Sequence, residues 1–391
     1  MPTIPITRPF FGEEELRAVQ EPLRDEWVVQ GPQVKRFEDD FARYTGTEHA
    51  SATSSCTTAL HIAVAALGLS QGDEVLVPAF TWVSTANVVE YLGATPIFCD
   101  IDLETFNVDI AAFDAGATDK TVGMIPVHLF GLLADVEGFT SLAASHKLWV
   151  LEDAACGFGG WYGDRHAGTF GDYGAFSFHP RKSITTGEGG MLTTADGKLD
   201  SLARSLRDHG ASRSDHARHG STGSFLLSEY NHLGFNFRMT DIQGALGVAQ
   251  MQRADWILGR RRKLAAAYDE LLADLDWLTP QRIPDGYVSG YQAYVCLFHP
   301  EEPTLANVEG MHERRNRLMA TLEGQGIATR QGTHAPIAVG YYADKYNLRV
   351  EDFPNAYIAD RLSLALPLYP QLTPDDQQIV VDALRRAIDE E

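Results

Sequence analysis

Two kinds of hydrophobic pattern alternate along the first two thirds of the chain. Short continuous apolar runs at residues 72–78, 94–100, 122–128 and 148–151 predict buried strands. Between them, apolar residues recur every three or four positions at 13–23, 34–44 and 135–146, which predicts amphipathic helices. Further on, 190–194 reads as a strand, and 199–206 and 242–252 as helices. Strand and helix signals that follow one another at intervals of roughly 20–30 residues imply βαβ units and an α/β fold, with a mostly parallel central sheet flanked by helices. From Trp256 the pattern changes. Helices are expected over 260–275, 311–323 and from Pro374, with strands at 291–298 and 327–330; the segments 356–361 and 364–367 lie between them without an assigned element. The expected division is a large domain with its N-terminal segment at 1–255 and a smaller α+β domain at 256–391.

At 391 residues the chain is long enough for two cores. A hydrophobic content of 44% and a charged content of 22% are ordinary for a globular enzyme. The net charge of -21 argues against binding to nucleic acid or an anionic membrane. An anionic substrate must therefore meet a local basic pocket. Cys56, Cys99, Cys156 and Cys296 lack metal-ligand spacing, so free thiols and no metal site are expected. No signal-like N-terminus and no apolar run of ~20 residues is present. A cytoplasmic location is the matching expectation.

Candidate chemistry gathers at the predicted strand ends, where ligands of open α/β sheets bind. Thr57, Trp82, His128, Asp153 and Lys182 each follow a predicted strand. Asp153 closes the run 148–151, and Lys182 lies between the aromatic run 175–180 and a glycine-rich turn at 186–190. A carboxylate and a lysine so ordered suit pyridoxal phosphate, which needs an amine for a Schiff base and an acid beside its pyridine nitrogen. A surface lysine and a capping aspartate form the plain alternative, the commoner one for an isolated pair. Residues 49–60 pass from a small-residue strand into a helix through hydroxyl side chains, which suits either a phosphate or a simple cap. Trp82 could stack on a flat ring or pack in the core. His128 alone is usually structural. His334 and Tyr342 are candidates for closing over a substrate, and either could equally be packing. The polar stretch 208–228 suits an exposed lid.

Glu152-Asp153-Ala154-Ala155, Phe176-Ser177-Phe178-His179-Pro180-Arg181-Lys182 and Gly187-Glu188-Gly189-Gly190 resemble the DegT/DnrJ/EryC1/StrS family. The resemblance runs from about Trp27 to the C-terminus. It implies a fold-type I, pyridoxal-phosphate aminotransferase that moves an amino group, by family analogy from glutamate, onto a nucleotide-linked keto-sugar. By the same resemblance Lys182 and Asp153 are catalytic, and Cys56, Thr57 and Ser177 hold the cofactor phosphate. Trp82 then lies over the pyridine, and Asn236 reaches the cofactor of a second subunit in a homodimer, with Arg238 in support. Gly31 lies in a loop near the substrate, where an ordinary turn is the equal alternative; His128 is the weakest of the substrate candidates. Two positions depart from the family pattern. Cys56 stands where glycine is commoner, and Cys156 where His or Gln usually faces the cofactor's phenolic oxygen. A thiol is the weaker hydrogen-bond partner. Rival readings are a sugar dehydratase, which in known cases has histidine in place of the lysine, a cyclitol aminotransferase, and a non-catalytic cofactor-binding regulator.

Overall fold

The computed structural model describes residues 3–212 and 228–389. Strands β1 (His49–Thr53), β2 (Glu74–Pro78), β3 (Thr95–Cys99), β4 (Thr121–Met124) and β5 (Trp149–Asp153) are followed by the short β6 (Trp161–Tyr162) and β7 (Arg165–His166), then by β8 (Tyr173–Ser177) and β9 (Gly190–Thr194). Seven of them form one sheet in the order β1-β9-β8-β5-β4-β2-β3. The pairs β2/β3, β2/β4, β4/β5 and β5/β8 are parallel, and β9 runs antiparallel to both β8 and β1. The expected mostly parallel sheet is therefore present, with one reversed strand inside it. Helices cover both faces, as a parallel sheet requires. On one face the helix Cys56–Ala66 contributes Ala59, Leu60 and Ala63 to a core with Val75, Val77 and Leu151. On the other, the helix Pro32–Thr45 contributes Val34, Phe37 and Phe41, whose rings meet Phe176 and Phe178.

β10 (Leu278–Pro280), β12 (Tyr294–Phe298) and β13 (Ser363–Leu366) form a separate antiparallel sheet, and β11 (Tyr287–Val288) pairs with β6. Their core of Tyr268, Phe298, Leu318, Leu362 and Leu384 is distinct from the other two. Two details alter the expected layout. Ile4 belongs to this C-terminal core and bridges Ile327, so the first residues of the chain pack with its last third. The helix Ala254–Leu271 gives Ile257 and Leu258 to the large core and Leu264 and Tyr268 to the small one, so residues just past position 255 still pack with the first part of the chain.

Three element expectations are corrected. Residues 13–23 make two short helices, Glu13–Ala18 and Glu21–Arg24; Pro22, which has no N–H to donate, sits in the first turn of the second. The stretch 327–330 forms only single bridges, Ile327 to Ile4 and Arg330 to Ala365, because different partners take its two ends. The strand expected over 122–128 stops at Met124, with one further bridge from Val127 to Asp153. The proposed lid falls largely on 213–227, outside the described residues. Among the described residues, no helix is long and apolar enough to cross a membrane.

Candidate active site

Alternation along β5 sends its two terminal carboxylates to opposite faces of the sheet. Asp153 is buried; its Oδ2 accepts from Thr85 Oγ1 at 2.7 Å and its Oδ1 from the Ala155 amide at 3.2 Å. Burial raises the proton affinity of this carboxyl, and those two hydrogen bonds offset it only in part. Glu152 faces the other way. It accepts from the amides of Gly168 (2.8 Å), Phe170 (2.6 Å) and Gly171 (2.8 Å), and from His128 Nε2 at 2.8 Å. The Ala134 amide donates to His128 Nδ1 at 3.1 Å. Both ring nitrogens of fully buried His128 are thus committed, which corrects its expected contact with substrate: it is a structural partner of Glu152. Removing Glu152 leaves four donors without their acceptor, two of them, the Gly168 amide and His128 Nε2, fully buried. Glu152→Ala is expected to cost about 3–5 kcal/mol, read as a lower urea midpoint.

The loop after β8 carries Lys182. Phe178 and Thr186 close it through Phe178 N–H to Gly189 O (2.9 Å) and Thr186 N–H to Phe178 O (3.1 Å). Gly187 turns the loop at φ +84°, a conformation that favours glycine. Lys182 Nζ donates to Cys156 Sγ at 3.1 Å. Burial opposes the charge on Lys182, yet the sulfurs of Cys156 and Cys56 and the carboxylate of Asp153 outweigh burial, so its pKa lies above the usual lysine value. The thiol of Cys56 is pushed up, chiefly by burial and then by Asp153. Lys182, Asp153, Cys156 and Cys56 therefore share one small region, although they come from three separate chain segments.

Beside them starts the helix Cys56–Ala66. Ser55 is its cap: the Ser55 hydroxyl accepts from the Thr58 amide at 3.1 Å, and Thr58 Oγ1 accepts from the Ser55 amide at 3.0 Å. Helix geometry leaves the N–H groups of Cys56 and Thr57 without an intrahelical acceptor. Gly190, paired with Ser177 across β8 and β9, lies against this end; a Cβ there would come within 2.4 Å of the Ser55 carbonyl carbon. Period-two alternation buries Phe176 and Phe178 and leaves Ser177 on the helix side. Cys56 at the usual glycine position keeps the backbone donors intact, since donation needs no special φ.

Trp82 is 58% exposed, and its ring lies 5.8 Å from that of His334. The Thr81 amide also donates to the His334 carbonyl at 2.9 Å, so the sheet side and the C-terminal part meet here. Of the two readings of Tyr342, packing is the one seen: it is buried, and its hydroxyl donates to Asn87 Oδ1 at 2.6 Å. Gly31 precedes the helix Pro32–Thr45 and donates its amide to Asp241 Oδ1 at 3.0 Å, a carboxylate that also caps the helix through Gln33 and Val34. A Cβ on Gly31 would come within 2.1 Å of Trp27 Nε1, so close packing accounts for the glycine. Arg238 is ion-paired with Asp208, which bridges Asn236 through the backbone; Asn236 itself is exposed. The residues missed in the sequence are Thr85, Ser55 and Glu152. Two local signals pointed to them: Thr85 lies three residues past Trp82, and Glu152 must face away from Asp153.

Buried His166 supports the loop between β5 and β8. Its Nε2 accepts from the Gly159 amide at 2.9 Å, while its Nδ1–H donates to Ala167 O at 2.7 Å. Burial pushes its pKa down to about 4. Unfolded histidine titrates near ~6.5. Between those values the unfolded chain binds a proton that the folded one does not, so stability falls as the pH drops from ~6.5 toward 4, by about 3 kcal/mol. Urea midpoints of the cofactor-free protein across that range test this, and His166→Asn is expected to flatten the slope.

These groups fit pyridoxal phosphate. The open helix end beside Ser177 suits its phosphate, and Asp153, whose burial disfavours a lone negative charge, suits a ring N–H⁺. Comparison with known proteins agrees. Residues 9–385 match the model of the DegT/DnrJ/EryC1/StrS aminotransferase family. The spore coat polysaccharide biosynthesis protein SpsC of Bacillus subtilis is 35% identical over 383 residues, 98% of this chain and 96% of its own. Helicobacter pylori PseC, an aminotransferase involved in the biosynthesis of pseudoaminic acid, superposes with a TM-score of 0.90 at 25% identity, over 99% of this chain and 100% of its own. A Streptococcus pneumoniae protein solved in PLP and PMP forms does so with TM-scores of 0.89 and 0.91 at 26% identity; 99% of this chain is covered in both, with 99% and 100% of its own. The chain thus belongs to the DegT/DnrJ/EryC1/StrS aminotransferase family and is a fold-type I, pyridoxal-phosphate-dependent transaminase.

Proposed function

We propose that this transaminase moves an amino group from glutamate to a nucleotide-linked keto-sugar. The observation that carries the proposal is the convergence of Lys182, Cys156, Cys56 and Asp153, with Trp82 and His334 at the same strand ends. A sugar acceptor is supported by the family and by what SpsC and PseC are named for.

When bound, the cofactor supplies an aldehyde carbon and an electron-withdrawing ring. The amides of Cys56 and Thr57 and the Ser177 hydroxyl hold its phosphate, and Asp153, oriented by Thr85, keeps a proton on the ring nitrogen. Trp82 covers one ring face. Lys182 Nζ, once released by the amino donor, takes the proton from the donor's α-carbon and returns it one atom away, acting as base and then acid. With a sugar in place it runs the same transfer in reverse. Exposed Asn236 reaches the cofactor phosphate of a second subunit, held by Arg238 through Asp208. The four free cysteines suit a reducing cytoplasm.

The test is to load the protein with pyridoxal phosphate and offer glutamate with a panel of nucleotide-linked 3-keto and 4-keto sugars, reading products by mass. An amino sugar supports the proposal. A product that has lost a hydroxyl without gaining nitrogen identifies the dehydratase instead, and amination of free cyclitols alone moves the acceptor class.

A further inference from the structure

Three of the four cysteines are sealed in the fold. Cys56, Cys99 and Cys296 are buried, and burial pushes each thiol up, Cys99 to about 12. Cys156 is set apart by its position. It is partly exposed, and its sulfur lies 3.1 Å from the free amine of Lys182. The loop from Cys156 to Gly160 is held from beneath by backbone bonds (Gly157 N–H to Ala154 O, 2.8 Å; Gly160 N–H to Gly157 O, 2.8 Å), so the sulfur sits on a rigid turn just past β5. Lys182, in contrast, has a long flexible side chain, and freeing its amine releases rotamer freedom.

We infer that Cys156 is the resting partner of Lys182: its sulfur catches the amine whenever the cofactor releases it and holds it within reach of the reacting carbon. Cys156 is then a positioning residue that acts through Lys182. An ammonium beside a thiol favours the nucleophilic thiolate, so the reactivity of Cys156 follows the state of Lys182. With Nζ covalently engaged by the cofactor the pair is broken; with the cofactor in its amine form the pair is restored.

Iodoacetamide reads this directly, the Cys156 sulfur displacing iodide from the methylene carbon while the thiol proton stays on Lys182 or passes to solvent. The full-length protein is loaded with either pyridoxal phosphate or pyridoxamine phosphate, two ligands of nearly equal size, and labelling at each cysteine is followed by peptide mass spectrometry. Cys156 is expected to label several-fold faster in the pyridoxamine form, while the other three cysteines stay unlabelled in both. In Lys182→Ala the difference between forms should vanish. Equal rates in the two wild-type forms, or a difference that survives Lys182→Ala, overturn the inference. Neither outcome depends on which donor or sugar the enzyme uses.

A second readout follows the pH profile. The neighbouring sulfur helps Lys182 retain its proton, so Cys156→Ala should move the limb on which Lys182 acts as base toward lower pH and slow turnover about tenfold. Cys156→Ser, which keeps a hydrogen-bonding atom, should recover most of the rate. An unmoved limb in Cys156→Ala counts against the pairing even if turnover falls.

Discussion

Lys182→Ala is expected to abolish transamination, lowering turnover by about 10⁴-fold or more. Lys182 Nζ is hydrogen-bonded to Cys156 Sγ at 3.1 Å, and Lys182 is the amine that shares its surroundings with Asp153 and Cys56. Loss of the amine removes both the covalent attachment and the group that carries the proton. The protein should still bind the cofactor through the helix end at Cys56 and Thr57, but without the visible absorbance of the lysine-linked form. Folding should be little changed, because the loop after β8 that carries Lys182 is closed by backbone bonds among Phe178, Thr186 and Gly189 that do not involve the lysine side chain. A variant that keeps the wild-type absorbance would falsify the assignment of this lysine.

The second large effect is expected at Asp153. Asp153→Asn should lower turnover by about 10²–10³-fold, the loss typical of removing one preorganised electrostatic partner from a buried site. The amide preserves shape: its oxygen can still accept from the Ala155 amide while its NH2 donates to the Thr85 hydroxyl, so the fold is retained. What disappears is the negative charge. Burial already makes that charge costly in the cofactor-free protein, and a cationic ring nitrogen is what stabilises it. Cofactor affinity should fall in parallel. Turnover within twofold of wild type, measured in the same assay, would remove Asp153 from the reaction. Thr85→Val should show a weaker version of the same defect, since the carboxylate loses its 2.7 Å donor but keeps its charge.

Much of the architecture was legible in the chain because it rests on local pattern. Continuous apolar runs marked β2, β3 and β5, and serine and threonine marked the start of the helix Cys56–Ala66. The residue types at strand ends indicated the cofactor chemistry before any distance was known. The resemblance to a family added which lysine and which aspartate to watch. Where local rules failed, the cause was a partner distant in sequence. The strand expected at 327–330 has no neighbour along its length, since Ile4 and Ala365 each take one end. Tyr342 allowed two equal readings, closure over a substrate or packing, and Asn87, 255 residues away, accepts its hydroxyl.

Sequence alone therefore determined the kind of fold, because periodicity is a property of neighbours along the chain, and its resemblance to a family gave the cofactor class and put Lys182 and Asp153 forward as the reactive pair. Only the tertiary structure decided what each polar group does. It brought three loop amides onto Glu152, took both nitrogens of His128, gave Asp241 to the helix after Gly31, and set Cys156 against Lys182. Hydrogen bonds depend on distances of about 3 Å between groups that folding brings together, and no spacing along the chain encodes those distances.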